Sequence, residues 1–226
     1  MGATGVSDRA PDWVAGGSPA ALRADLAAAV GAGQIRGSAL ELIAYASDAS
    51  PYRKIPQAVV TPQGVGDVVA LLAWARRTAT PLTFRAGGTS LGGQAQSDSV
   101  LVDVRRHWSR ARVGDGGTRV RLQPGVVLGR ANRMLARYGT KLGPDPASTE
   151  IACVGGVIAN NSGGMRCGVA QDSYQTVRAM TLVLANGAVI DTAQPDATDR
   201  FARAAPELAL TSGPTAARSR PSTAPG

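Results

Sequence analysis

Two glycine-rich stretches hold most of the residues that could do chemistry. The first, Arg85-Ala86-Gly87-Gly88-Thr89-Ser90-Leu91-Gly92-Gly93, follows the apolar segment Pro81-Leu82-Thr83-Phe84 and is closed by Gln94. Glycine reaches positive φ without steric cost and lets a ligand approach bare N–H groups. Successive N–H groups of that kind make a concave nest for phosphate oxygens. Thr89 and Ser90 add hydroxyl donors, and Arg85 adds a positive charge. A tight turn is the plainer reading of two glycines. Four within seven residues, flanked by Thr and Ser, favour an anion-binding loop.

The second stretch runs from Gly143 to Gly164. Pro144, Asp145 and Pro146 stiffen its start, and Ser148 or Thr149 is placed to cap the apolar turn that follows. Gly155 and Gly156 let that turn approach a ligand. After Ala159, the side chains of Asn160, Asn161 and Ser162 offer amide and hydroxyl bonding beside Gly163 and Gly164. Two such loops suit one long dinucleotide lying between two lobes. A third glycine motif, Gly64-Val65-Gly66-Asp67 with Ala70, imitates a dinucleotide fingerprint. Its third small residue comes one place late, and no acidic residue ends a strand about 20 residues on. It reads as a turn with Asp67 at a helix start.

The elements that must position these loops can be read from apolar periodicity. Ser18-Pro19 opens a helix through Val30, with Leu22, Leu26 and Val30 four apart. A short helix surrounds Leu40 to Ala46. Ala58-Val59-Val60 is a strand, Asp67 to Arg77 a helix, Pro81 to Phe84 a strand and Val100 to Asp103 another. That order suggests a small α/β lobe. Arg110 to Val113 and Arg119 to Leu122 alternate Arg with apolar residues around Gly114-Asp115-Gly116-Gly117, which predicts a hairpin with one apolar and one Arg face. A helix over Leu128 to Tyr138 follows. Met180–Leu184 and Ala188–Asp191 form a second hairpin across Asn186-Gly187, both of which tolerate φ > 0. Phe201 to Leu210 suggests a last helix. Residues 1–18 and 211–226 read as disordered.

The chain has 226 residues, a formal charge of +8, and 22 Arg against two Lys. The outer Arg face of the hairpin is in the first place a solvated face, with an acidic partner as the alternative. A nucleic-acid role is the weakest reading, because aromatic residues are only 4% and are not interleaved with the Arg. Cys153 and Cys167 make no disulfide framework, and with His107 the only histidine there is no metal site. No signal peptide is visible, and the apolar runs fall well short of the ~18 residues of a membrane span. The expectation is a soluble chain in a reducing compartment, with no transmembrane segment.

With both loops in view, the chain resembles the FAD-binding domain of the vanillyl-alcohol oxidase / p-cresol methylhydroxylase (PCMH) type. Within it, it is most similar to FAD-linked oxidases of the D-lactate dehydrogenase and glycolate oxidase subunit kind. Asp48-Ala49-Ser50-Pro51-Tyr52 with Pro56-Gln57-Ala58-Val59-Val60, the Gly87-Gly88-Thr89-Ser90 loop, Gly143-Pro144-Asp145-Pro146, and Gly155-Gly156 through Asn160-Asn161-Ser162-Gly163-Gly164 carry the resemblance, over roughly residues 36–195. It implies an α+β fold of two α/β lobes, about 50–105 and 106–200, with FAD between them. The FAD-binding domain then spans 36–210, after an N-terminal extension with a helix over 1–35. The implied cofactor residues are Arg85 to Gln94, Pro144, Asp145, Ser148, Thr149, Gly155, Gly156, Ala159, Asn160, Asn161 and Ser162.

Where relatives carry a histidine bonded to the flavin, this chain has Thr89, which implies non-covalent FAD. Cys153 lies where some relatives attach flavin through cysteine; a small buried thiol is the commoner case. The implied reaction is hydride transfer from a 2-hydroxy acid, D-lactate first, to FAD, with a quinone or cytochrome as electron acceptor. The implied location is cytoplasmic, with a peripheral position at the inner membrane as a variant. The base belongs to a C-terminal region that the resemblance leads one to expect beyond this chain, so no catalytic residue is assigned, and His107 reads as a surface or packing residue. A truncated, inactive FAD-binding fragment and a flavin domain like that of UDP-N-acetylenolpyruvoylglucosamine reductase stay as alternatives.

Overall fold

The structure is a computed structural model that describes residues 10–211. It divides into two units, one ending at Val177 and one beginning at Arg178. The first opens with helix α1 (Ala20–Val30), strand β1 (Ile35–Arg36), helix α2 (Ala39–Ala44), strand β2 (Ala58–Val60), helix α3 (Val65–Thr78) and strands β3 (Leu82–Arg85) and β4 (Val100–Asp103). The sheet order is β1-β2-β4-β3. Strand β4 runs parallel to both neighbours, while β1 is an antiparallel edge. Parallel strands covered on both faces read as unbroken apolar runs. That is why Ala58-Val59-Val60 and Val100-Leu101-Val102 show no alternation and are fully buried.

Alternation survives in where those side chains go. Ala58, Val60, Val100 and Val102 pack with Leu26, Val30, Leu71 and Trp74 from α1 and α3. Val59 and Leu101 point to the other face, against Leu42 of α2. Each large side chain buried here contributes roughly 1.5–3 kcal/mol. Parallel neighbours cannot be joined by a hairpin, so the chain from β3 to β4 must make a long crossover. No helix fills that crossover, and the first glycine loop lies within it.

The rest of the first unit is a second layer. Strands β5 (Ala111–Gly114) and β6 (Arg119–Leu122) pair antiparallel, with Arg112 opposite Arg121 on the exposed side and Val113 opposite Val120 on the half-buried side. Helices α4 (Leu128–Ala136), α5 (Val154–Ala159) and α6 (Ser173–Thr176) follow. Ala111 and Leu122 pack on a core of Val126, Leu128, Ala131, Ala152, Val154 and Val157. The one-sided Arg hairpin and α4 match the sequence expectation. Strands β7 (Thr181–Val183) and β8 (Val189–Asp191) with helices α7 (Ala197–Ala204) and α8 (Pro206–Thr211) make the second unit.

Four details correct the sequence reading. Asp12–Gly16 is a 3-10 turn that buries Val14, although composition alone suggests disorder up to residue 18. A long-range tie orders it: Ser18 N–H donates to Gly37 O at 2.7 Å, and Gly17, at φ +72°, lies against that same carbonyl. Residues 1–9 and 212–226, where disorder is also expected, lie outside the described residues. The Asn186-Gly187 hairpin is not a two-residue turn with both φ positive. Gly187 N–H closes onto Leu184 O at 2.8 Å, Leu184 N–H onto Ala188 O at 2.9 Å, and only Gly187 has positive φ, which is the three-residue turn ending in a glycine bulge. The last helix starts earlier than Phe201 and breaks at Ala205, because Pro206 forces the residue before it out of the helical region. Finally, Cys153 is the N-cap of α5, so Ser148 and Thr149 do not cap it; the Thr149 hydroxyl donates to Pro146 O instead.

Candidate functional site

Strand β3 delivers the chain to Arg85, and the glycine loop begins there. A Cβ on Gly87 would stand 2.8 Å from Ile151 O and 3.2 Å from both Ala152 Cα and Cys153 N. Only glycine permits that approach, and it brings the first loop against the second stretch. Gly88 has φ +65°, and its carbonyl accepts the Ala49 N–H at 3.0 Å. Gly93 has φ +77° and lies against the Tyr52 ring. Among the described residues, none of the backbone N–H groups from Gly87 to Gly93 donates to a protein acceptor. Thr89 is half-buried, and the Ser90 hydroxyl bonds to the Gln94 side chain. Ala86 is half-buried and Leu91 exposed. A row of unpartnered donors on a glycine-built turn is the donor set that phosphate oxygens require, so the loop fits the pyrophosphate of a dinucleotide.

Four side chains that sequence reading did not single out, Gln96, Asp103, Tyr45 and Arg105, support the loop. Gln96, 6% exposed, donates through Nε2 to Asp48 Oδ1 (2.7 Å), Ser50 Oγ (3.1 Å) and Tyr52 O (2.7 Å). It thereby fastens the 48–52 turn beside the loop. Asp103, 3% exposed, accepts from Tyr45 Oη at 2.6 Å and from Arg105 Nη2 at 2.8 Å. Burial works against its ionisation, but the hydrogen bonds from Arg105 and Tyr45 outweigh it and hold the carboxyl below its usual range. Burial, with help from Asp103, raises the Tyr45 phenol. The hydrogen bond to Asp103 raises Arg105. One signal in the sequence could have found this group: an acid that closes a wholly apolar buried strand, Val100-Leu101-Val102-Asp103, requires a buried partner.

Arg85 is placed differently from the expectation. Its Nη1 donates to Tyr45 O at 3.1 Å and Nη2 to Ser47 O at 2.8 Å, and its guanidinium stacks on the Tyr45 ring at 5.5 Å. It is 9% exposed. Burial and the nearby Arg105 lower its pKa, while Asp48 and Asp103 oppose them.

The second stretch is committed largely to the protein itself. Pro144 is buried. Asp145 packs on Gly164, accepts the Arg166 N–H at 3.4 Å, and faces Lys141 Nζ at 3.8 Å. Ser148 O accepts the N–H groups of Ile151 and Ala152, and Thr149 O that of Gly129. Gly155 is glycine because a Cβ would meet Pro124 Cβ at 2.6 Å, whereas a Cβ on Gly156 would meet nothing within 4 Å. Asn161, at φ +47°, donates to Asp172 Oδ2 at 3.1 Å and accepts the Tyr174 N–H at 3.0 Å. Ser162 O accepts the buried Ser173 hydroxyl. Ala159 and Asn160 are exposed. Cys153 is a buried free thiol that burial raises, so its reactive thiolate form is disfavoured.

The decoy motif has no tight approach: neither Gly64 nor Gly66 would bring a Cβ within 4 Å of anything. Asp67 Oδ2 accepts the Gln63 N–H at 2.7 Å, as a helix-start residue does. His107 is half-buried beside Trp108, whose Nε1 donates to Pro62 O.

Residues 56–193 match the family model of an FAD binding domain. The chain is 30% identical over 174 residues to the D-2-hydroxyglutarate dehydrogenase of Haemophilus influenzae, covering 74% of this chain and 17% of that protein. It is 32% identical over 156 residues to glycolate oxidase subunit GlcD of Bacillus subtilis, covering 66% of this chain and 33% of that one. It is also 32% identical over 155 residues to the D-lactate dehydrogenase of Archaeoglobus fulgidus, covering 66% and 34%. Among solved structures, an alkyldihydroxyacetonephosphate synthase superposes with a TM-score of 0.66 at 19% identity, over 77% of this chain and 34% of the other. The chain belongs to the FAD-binding domain family of FAD-linked oxidases, with an α+β, PCMH-type fold, and its cofactor is FAD. It spans between about a sixth and a third of the length of these curated relatives. Among the described residues, no helix is long and apolar enough to cross a membrane, and no group of His, Cys, Asp or Glu could hold a metal.

Proposed function

We propose that the chain is the FAD-binding part of an oxidoreductase that oxidises the CH–OH group of a small 2-hydroxy acid. The observation that carries the reading is the row of unpartnered N–H groups from Gly87 to Gly93, held against Ile151–Cys153. In this reading that row binds the pyrophosphate, Thr89 adds a hydroxyl donor, and Ser90 joins it when its hydroxyl turns from the Gln94 side chain to the ligand. Gly156 and Asn160 offer open positions on the second stretch, within an FAD-binding domain over residues 36–210. FAD, held non-covalently, supplies the hydride acceptor. Thr89 carries no nucleophilic nitrogen, and the raised Cys153 thiol is a poor nucleophile.

The three relatives are named for 2-hydroxy acids or their oxidation, which supports that substrate class. D-lactate is the member we put first, with D-2-hydroxyglutarate and glycolate beside it. The base that takes the hydroxyl proton lies outside this chain in this reading, the electron acceptor is a quinone or cytochrome, and the location is cytoplasmic. The visible spectrum of the purified protein tests the cofactor: a bound-flavin band in the 450 nm region that survives gel filtration is expected. A colourless protein that stays so with added FAD overturns the proposal. Turnover of D-lactate, D-2-hydroxyglutarate and glycolate with an artificial acceptor tests the substrate class, using this chain with the remainder of its enzyme.

A further inference from the structure

We infer that Arg85 is a positioning residue for the glycine loop and does not itself contact the cofactor; the inference rests on the FAD reading above. Both Arg85 Nη atoms are committed to main-chain carbonyls, those of Tyr45 and Ser47, on a segment some forty residues earlier in the chain. The next link in that segment is Ala49, whose N–H donates to Gly88 O at 3.0 Å. Gly88 in turn rests on the guanidinium, because a Cβ there would stand 2.8 Å from Arg85 Nε and Nη2. Arg85, Tyr45–Ala49 and Gly88 therefore form a closed bracket that pins the first left-handed residue of the loop. The Arg85 carbonyl extends the bracket to the sheet by accepting the Val104 N–H at 3.1 Å.

Charge does not account for the arrangement equally well. Arg85 and Arg105 are opposed by Asp48 and Asp103 in the same neighbourhood, two positive against two negative. The partners its Nη atoms take are carbonyls and not these carboxylates, so what Arg85 supplies is the planar fork that spans two carbonyls. A lysine ammonium is a point donor on a flexible stem and cannot reproduce that fork.

Arg85→Lys keeps the charge and loses the fork; Arg85→Gln loses the charge and keeps one amide donor group. FAD affinity is read by flavin fluorescence titration, and the Ala49 amide by hydrogen exchange in the FAD-free protein. Exchange at β2 and α3 serves as the control for global stability. Expected are FAD binding weakened at least tenfold in Arg85→Lys and Ala49 exchanging at least tenfold faster, with β2 and α3 unchanged. Arg85→Gln is expected to do no better than Arg85→Lys. If Arg85→Lys binds FAD within twofold of the parent chain, charge is what matters and the inference falls while the FAD reading stands. If β2 and α3 lose protection together with Ala49 in both variants, Arg85 has only a general structural role and the inference falls. If the parent chain itself binds no FAD, the FAD reading falls and takes this inference with it.

Discussion

The two glycine-rich stretches look alike in sequence and differ in what the fold does with them. From Gly87 to Gly93 the backbone N–H groups have no protein partner, and the surrounding side chains hold the loop from behind. From Gly143 to Gly164 several polar groups are already in use: Asp145 on Arg166, Thr149 on Pro146, Asn161 on Asp172 and Tyr174. Glycine composition marks a close approach in both, but in the second stretch the approaching group is mostly protein, as Pro124 on Gly155 shows. The first region is open to a ligand; the second is chiefly the wall against which the first is set.

The largest effect should come from Gly87, where the first region meets the second. Gly87→Val drives a Cβ into Ile151 O and the Cys153 amide, both main chain and unable to step aside. Overpacking of this kind costs about 1–3 kcal/mol. Because the strain falls on the loop itself, FAD affinity should drop by about 10–100-fold, read by fluorescence titration. Binding within twofold of the parent chain would mean that the contact between the stretches is irrelevant to the cofactor.

Next in size is the footing of the first region. Asp103→Ala leaves Arg105 and Tyr45 without their buried acceptor. Breaking a buried pair costs about 3–5 kcal/mol; Arg105 is 43% exposed and partly solvated, so about 2 kcal/mol is expected. The pH dependence follows from the direction of the shift. The folded Asp103 carboxyl lies below its unfolded value near ~3.9. Its contribution is therefore complete above about pH 4 and is lost as pH falls through the folded pKa. Tyr45 is raised, so its contribution is present below about pH 10 and is lost above it. Asp103→Ala should flatten the acid side of a denaturant-midpoint profile. A profile with an unchanged acid limb would remove Asp103 from the support of the loop.

A matched pair then sharpens the contrast. Asn161→Ala removes two hydrogen bonds and leaves alanine at positive φ, so stability should fall by about 1–3 kcal/mol. FAD affinity, corrected for the unfolded fraction, should be unchanged. Thr89→Ala removes a hydroxyl with no protein partner, so stability should hold while FAD affinity falls by several-fold, from one hydrogen bond of about 1 kcal/mol. Thermal midpoints and FAD titrations on both variants decide it; the same response in both would erase the distinction between a ligand-facing loop and a wall.

What the sequence made legible follows the range of the interactions. The apolar runs of β2 and β4, the one-sided Arg hairpin and the glycine of the first loop are local patterns, and they fold as they read. The support of that loop is not local. Tyr45 and Asp103 are 58 residues apart and Gln96 lies 48 from Asp48; only the parallel order β2-β4-β3 brings them together. Asn161 shows the opposite case. Its type suits a ligand, but the positive φ and the Asp172 and Tyr174 contacts that occupy it depend on a loop path with no periodicity. The helix break at Pro206 and the three-residue turn at Gly187 had local signals, since proline restrains the residue before it and Asn-Gly serves more than one turn type.

The smallest effect, and opposite in sign, belongs to the glycine motif that belongs to neither region. Gly66 sits in the first turn of α3, where a Cβ would meet nothing within 4 Å. A glycine kept for a cofactor should not tolerate alanine, whereas a glycine in an unstrained helical position loses backbone entropy to no purpose. Gly66→Ala should therefore raise stability by about 0.4–1 kcal/mol and leave FAD affinity unchanged. A tenfold loss of FAD binding would mean that the Gly64-Val65-Gly66 turn lies against the cofactor after all. A gain in the denaturation midpoint with unaltered FAD titration would leave Gly87 to Gly93 as the loop whose glycines serve a ligand, because there a continuous row of unpartnered N–H groups adjoins the glycine-only approach at Gly87.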